Sequence, residues 1–145
     1  NSETYYAGYY LASMGASTKK VQYLLKQDLK EYIERQKVIT NVDILNERIA
    51  IAKGSPYMVY RKEDLAKIAD TLLFFNNIEA SFVIAKSTSK TIAVSGRSLG
   101  NYNISSILTP LGGGGNKTVG AARITDSTIS KVETKLKQIL KKEEE

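Results

Sequence analysis

Apolar positions change their spacing several times along this chain, and each change marks an element. Residues 4–14 are aromatic-rich, with Tyr6 and Tyr10 at i, i+4 spacing and Tyr5 and Tyr9 beside them. This predicts a short helix that Gly15 ends. Ser17 fits the N-cap of a longer helix, in which Val21, Leu24, Leu25, Tyr32 and Ile33 form one stripe opposite a lysine- and glutamate-rich face. The period then falls toward two. Residues 38–45 alternate irregularly and carry β-branched side chains, and residues 48–53 (Arg-Ile-Ala-Ile-Ala-Lys) read as a cleaner strand. Asn46-Glu47 between them predicts a tight hairpin. Gly54-Ser55-Pro56 is a turn. Glu63 and Asp64 then open an amphipathic helix, where carboxylates suit the dipole, with the stripe Leu65, Ile68, Ala69, Leu72 and Leu73.

Asn76-Asn77 breaks that helix. The unbroken run Ala80-Ser81-Phe82-Val83-Ile84-Ala85 predicts a strand buried on both faces. Thr91-Ile92-Ala93-Val94-Ser95 predicts another, after the polar turn of residues 86–90. Residues 104–108 suggest a short helix leading into Pro110, and residues 119–124 a last strand. Asp126 or Ser127 caps a C-terminal helix with the stripe Ile129, Val132, Leu136, Ile139 and Leu140, whose charged end at residues 141–145 should fray. Helices and hairpins interleave. The expected class is α/β, a central mixed β-sheet flanked by helices and preceded by an N-terminal helical connector.

Composition narrows the function. With 145 residues, 42% hydrophobic and 25% charged, the chain can bury one core as an ordinary soluble domain. No apolar run approaches the roughly 20 residues of a membrane helix, and no secretory signal pattern is present. Cysteine and histidine are both absent. That removes disulfides, zinc-thiolate sites, thiol nucleophiles, Ser-His-Asp triads and histidine metal sites. The sequence also lacks a tight acidic cluster for an all-oxygen metal site. The net charge of +6 would draw in a phosphate-bearing ligand, or it reflects surplus solvated lysine. Asn1 is not a natural start residue, so the chain reads as a fragment of a longer protein.

The candidate chemistry centres on Leu111-Gly112-Gly113-Gly114-Gly115-Asn116-Lys117-Thr118. Four consecutive glycines carry a backbone entropy cost that makes sense where main chain passes very close to something else. Glycine N–H groups can also converge on an anion. The strand at residues 91–95 is followed by Gly96-Arg97-Ser98. There Gly96 would turn the chain, Arg97 would offer a planar fork to phosphate, and Ser98 would add a hydroxyl. If the short helix folds back, both loops meet at one sheet edge. Plainer readings stand beside these: Arg97 as an ion-pair partner, Asn116 as a turn residue, Lys117 as a solvated charge, the glycines as a linker. The run is neither a Walker loop nor a Rossmann fingerprint.

The ordered set Ser95-Gly96-Arg97-Ser98-Leu99-Gly100, then Leu111 through Asn116, then Gly120-Ala121, resembles the C-terminal DHH-associated domain of DHH-family phosphoesterases. The likeness is strongest to cyclic-di-AMP phosphodiesterases of the GdpP (YybT-like) type. It extends over essentially the whole chain. Val21-Gln22-Tyr23-Leu24-Leu25-Lys26 and Tyr32-Ile33-Glu34-Arg35 look like the helix joining that family's two halves, and Ala69 to Leu73 and Ile78 to Val83 are similar to its next segment.

The resemblance implies a helical connector at residues 1–36, continuing from an upstream DHH domain, and a substrate-binding domain at 37–145. It implies that the two manganese ions lie in that upstream half, so no catalytic residue, metal ligand or cofactor is expected here. Substrate contacts would fall on Arg97, Ser98, Gly112, Gly113, Gly114, Gly115 and Asn116. The family usually has histidine where this chain has Asn116, and an amide cannot become cationic or act as a general acid. The implied parent is a manganese-dependent cyclic-dinucleotide phosphodiesterase, membrane-anchored with this domain in the cytoplasm, and this piece is inactive alone. Implied partners are a cyclic or linear dinucleotide and the parent's own DHH domain; an oligomer is compatible. The alternatives are a module for single-stranded or short RNA, or a degenerate regulatory domain.

Overall fold

A computed structural model describes residues 18–144. The chain divides into two compact units, residues 1–37 and 38–145, and each is described by itself. The aromatic segment and Ser17 lie outside the described residues. In the first unit, helix α1 (Thr18–Thr40) begins, with Val21 buried and Tyr32 and Ile33 exposed. From Val38 onward its residues belong to the second unit.

The second unit is built on a six-stranded sheet. Its strands are β1 (Asp43–Leu45), β2 (Ile49–Lys53), β3 (Ala80–Thr88), β4 (Thr91–Ser98), β5 (Gly114–Gly115) and β6 (Val119–Thr125), in the order β1-β2-β3-β4-β6-β5. Only β2 and β3 run parallel; every other neighbouring pair is antiparallel. The sheet is therefore mixed, as its sequence predicts. Helix α2 (Lys62–Leu72) makes the crossover from β2 to β3 that a parallel pair requires. The hairpin at Asn46-Glu47 forms with positive φ at both residues (51° and 62°), the turn geometry that matches strand twist.

One stretch differs from expectation. Residues 38–40 finish α1 instead of starting a strand, and β1 keeps only three residues. Val38 is 2% exposed and packs with Ala50, Leu65 and Ile68. Burial of an apolar side chain is worth about 1.5–3 kcal/mol, which overrides a β-branched preference of under about 1 kcal/mol.

Strand alternation sorts the core into two layers. Ile49, Ile51, Phe82, Ile84, Ile92, Val94 and Ala122 face α3 (Ile104–Leu108) and α4 (Ile129–Glu144). Ala50, Ala52, Val83, Ala85 and Ala93 face α2 and the end of α1. The first layer is bulky and has two helices. The second is floored by alanines and has α2 as its main cover, which leaves the β6 side of that face bare: Val119, Ala121 and Arg123 are all exposed. Every second residue of β6 points the other way, so Gly120 and Ala122 are buried.

The charged C-terminal end does not fray at Glu144. Arg48 Nη2 lies 3.6 Å from one of its oxygens, and Tyr102 Oη donates to the other. Burial, then the hydrogen bond to Glu144 and its charge, push the Tyr102 phenol up to about 12 from 10.0. The folded state thus holds this proton more tightly than the unfolded chain does. Its contribution is complete below pH 10 and is lost as pH rises toward 12. Tyr102→Phe should cost about 1 kcal/mol at neutral pH and flatten the alkaline loss of stability, as read by urea unfolding at a series of pH values.

Candidate functional site

The bare part of the second face forms a cleft of about 580 Å³. Its floor comes from β4 and β6. Alternation brings Ala93, Ser95 and Arg97 to this side of β4, and the register sets them opposite Arg123, Ala121 and Val119 of β6. Helix α2 makes one wall with Lys62, Leu65 and Ala66, and Gly114, Gly115 and Asn116 make the other. Three cations, Lys62, Arg97 and Arg123, line the cleft, and among the described residues no carboxylate does. An anionic or phosphate-bearing occupant suits that balance.

Arg97 is held on three sides. Its Nε donates to Asp70 Oδ1 of α2 at 3.0 Å. Its Nη1 donates to the Gly96 carbonyl at 2.8 Å and to Ser95 Oγ at 3.3 Å. The side chain is only 15% exposed while that of Asp70 is 58% exposed, so the pair secures the direction of the guanidinium more than it adds stability. Its Nη2 makes no hydrogen bond to a described residue. A rigid, permanently charged guanidinium with Nη2 left over suits a phosphate or carboxylate oxygen.

Gly96-Arg97-Ser98 lies within β4 and does not follow it. Two expectations change as a result. Gly96 makes no turn: a Cβ there would come within 3.1 Å of Phe82 and of Ile104, so glycine permits α3 to sit close on the sheet. Ser98, next to Arg97 on an extended strand, faces the opposite layer. It is 6% exposed, and its hydroxyl donates to the Tyr102 carbonyl at 2.7 Å, sharing the proton with the Lys117 carbonyl at 3.2 Å. Ser98 pins the loop behind the cleft and lines no part of it.

The glycine run divides in the same way. Gly112 takes φ 83° at the end of the 3-10 turn (Thr109–Leu111), and its N–H donates to the Thr109 carbonyl. The Gly113 N–H donates to the Leu108 carbonyl at 3.0 Å. Both amides are thus spent on the chain itself. Gly114 and Gly115 form β5 against Ala121 and Gly120. Since the Asn116 N–H donates to the Val119 carbonyl at 2.8 Å, the adjacent pair Gly115–Gly120 is the non-hydrogen-bonded one, and the Gly115 N–H points to the free sheet edge. One outward amide therefore replaces the expected nest of four.

Asn116 serves as a turn residue. Its Oδ1 accepts from the N–H groups of Thr118 (3.0 Å) and Val119 (2.9 Å). The carbonyls of Asn116 and Lys117 accept from the first amides of α3, at 3.0 and 2.9 Å. Those bonds satisfy the α3 N-terminus internally. Asn116 nonetheless lines the cleft.

The structure thus brings Arg97, Gly114, Gly115 and Asn116 to one cleft and places Ser98, Gly112 and Gly113 behind it. Sequence reasoning missed Asp70, Lys62 and Arg123. Arg123 did leave a signal: it alternates with the apolar Ala122 and Ile124 inside a predicted strand, which puts it on the face opposite the core. Among the described residues, no group of three His, Cys, Asp or Glu side chains is placed to hold a metal ion. No described helix is long and apolar enough to cross a membrane.

Comparison with known proteins gives a consistent picture. Residues 54–145 match the model of the DHHA1 domain. The chain is 40% identical over 139 residues to the cyclic-di-AMP phosphodiesterase GdpP of Geobacillus thermodenitrificans, covering 96% of this chain and 21% of that protein. It is 37% identical over 135 residues to the cyclic-di-AMP phosphodiesterase PdeA of Listeria monocytogenes, covering 93% of this chain and 20% of that protein. The chain therefore spans about a fifth of the length of these relatives. An exopolyphosphatase-related protein from Bacteroides fragilis shares the fold, with a TM-score of 0.68 and 18% identity over 98% of this chain and 44% of that one. On the family model and these relatives together, the chain belongs to the DHHA1 domain family.

Proposed function

We propose that this chain is the substrate-binding part of a DHH-family phosphodiesterase acting on a cyclic dinucleotide or its linear product. The observation that carries the reading is Arg97: anchored by Asp70 and the Gly96 carbonyl, it keeps Nη2 without a partner among the described residues, and it lines a cleft to which the described residues contribute three cations and no anion. Arg97 takes a phosphoryl group, and the Gly115 N–H and Asn116, from residues that line the same cleft, supply further donors. Ala93, Ser95 and Ala121 offer a shallow floor for a base or sugar. The names of the relatives, which are cyclic-di-AMP phosphodiesterases, support the substrate class.

The described residues do not fit a metal centre. Manganese, in this proposal, belongs to a DHH half outside the chain, and this part binds, orients and shields the nucleotide. Asn116 donates a neutral hydrogen bond in this role, with no acid–base part.

The test is a calorimetric titration of the 145-residue chain with linear diadenylate and with oligoadenylates of increasing length. The expected result is saturation on the dinucleotide, little gain with length, and a salt dependence of about two phosphates. Incubation with manganese should give no hydrolysis. Affinity that climbs with length and collapses with salt would identify a single-strand nucleic-acid module instead. Metal-dependent turnover by the chain alone would overturn the division of labour.

A further inference from the structure

Arg97 and Ser98 are neighbours on β4, and alternation sends the first into the cleft and the second into the layer on the other side of the sheet. The last registered pair between β4 and β6 is Arg97 with Val119. Ser98 continues the ladder one step past it, its N–H donating to the Thr118 carbonyl at 2.9 Å. Its hydroxyl is a junction. The proton goes to the Tyr102 carbonyl and is shared with that of Lys117, while the oxygen accepts from the Gly100 N–H at 3.2 Å. One buried oxygen thereby ties β4 to the 99–102 loop and to the 116–118 loop.

The same two loops meet again at the start of α3. The Ile104 N–H donates to the Lys117 carbonyl at 2.9 Å, and the Ser105 N–H to the Asn116 carbonyl at 3.0 Å. The carbonyls of residues 116, 117 and 118 are thus all held by donors of β4 and α3, on the side of the sheet away from the cleft. Gly115 and Asn116, which line the cleft, hang from this anchored loop. Ser98 is buried, so an alanine in its place takes a partner from the Tyr102 carbonyl and the Gly100 N–H and slackens both loops.

Resting on the reading of the cleft given above, we infer that Ser98 is a positioning residue for the nucleotide. It touches no ligand. Its hydroxyl fixes the wall that carries Gly115 and Asn116 relative to Arg97, so that one phosphoryl group meets both. Two consecutive residues divide the work: Arg97 bonds the ligand, and Ser98 keeps the other donors within its reach.

The experiment titrates linear diadenylate into the 145-residue chain, its Ser98→Ala variant and, as a control for stability, Ile92→Val. Ile92 is buried in the bulky layer at the opposite end of β4. Both variants should lower the urea midpoint of unfolding. Ser98→Ala should weaken binding about tenfold and move the amide resonances of Asn116, Lys117 and Thr118 in the free chain. Ile92→Val should leave affinity within about twofold and those resonances in place. Coupling between two sites is reciprocal. In the wild-type chain, bound diadenylate should therefore slow hydrogen exchange at the Gly100 amide, a reading that needs no variant. Affinity of Ser98→Ala within about twofold of wild type, a loss matched by Ile92→Val, or Gly100 exchange unchanged by ligand would overturn the positioning role and leave the Arg97 reading standing. Failure of the wild-type chain to bind would overturn both.

Discussion

Gly113→Ala is expected to destabilise the domain by about 3 kcal/mol, whereas Gly114→Ala, one residue on, should change stability by less than about 1 kcal/mol. A Cβ at Gly113 would lie 2.3 Å from the Ala121 carbonyl oxygen and 2.5 Å from the Ala122 Cβ. Neither neighbour can yield cheaply, because both belong to β6, which is hydrogen-bonded to β4 on its other side. Gly115 is in the same position: a Cβ there would lie 2.2 Å from the Val119 carbonyl oxygen, at a φ of 145°. A Cβ at Gly114 meets nothing within 4 Å. Its cross-strand partner is Ala121, so the added methyl would project on the cleft side. Urea unfolding should therefore separate the two variants, and nucleotide titration should affect Gly114→Ala despite its intact fold. Equal stability of the two would contradict the account of why the run is glycine.

Arg97→Ala is expected to weaken dinucleotide binding about a hundredfold, the loss of a charge-assisted contact through the free Nη2 worth about 2.7 kcal/mol. Stability should fall by about 1 kcal/mol or less, because Asp70 is 58% exposed and solvent screens the pair. Arg97→Lys should recover only part of the affinity. An ammonium keeps the charge but cannot reach Asp70, the Gly96 carbonyl and the ligand from one point as the spread nitrogens of a guanidinium do. Asp70→Asn is a milder version: the guanidinium remains charged but loses its ionic anchor on α2. Calorimetry with parallel unfolding curves reads both quantities, and a proportionate loss of affinity and stability would assign Arg97 a structural role only.

Most of the architecture was legible because periodicity and burial agree. The run at residues 80–85 lies in the centre of the sheet with both faces covered, and the stripe Val132, Leu136 and Leu140 is the buried face of α4. The mixed sheet, the amphipathic helix after residue 62 and the hairpin followed from the same signals. Legibility failed where a contact distant in sequence decided the outcome. Val38 belongs to a helix because α2 and β2 bury it. β4 runs on through Ser98 because β6 pairs with it as far as Arg97, and that extension sends Ser98 to the opposite layer. The Arg97–Asp70 bond joins residues 27 apart and has no local signature.

The glycine run teaches a related lesson. The glycines do mark a close approach of main chain, but the partner of Gly113 and Gly115 is β6. What the run contributes to the cleft is a thin wall and the edge at Gly115, not a ring of converging amides. The resemblance to the DHH-associated domain was legible only from the ordered motifs taken together, and the family model and the relatives show the membership.

The central claim is that the bare face of β4 and β6, with Arg97 at its end, is where the nucleotide sits. Backbone amide chemical-shift mapping of the 145-residue chain during titration with linear diadenylate tests it most directly. Saturable shifts should cluster on Ser95, Arg97, Gly114, Gly115, Asn116 and Ala121, and Arg97→Ala should abolish them. Saturable shifts confined to α3, α4 or the opposite sheet face, undiminished in the Arg97→Ala variant, would contradict it.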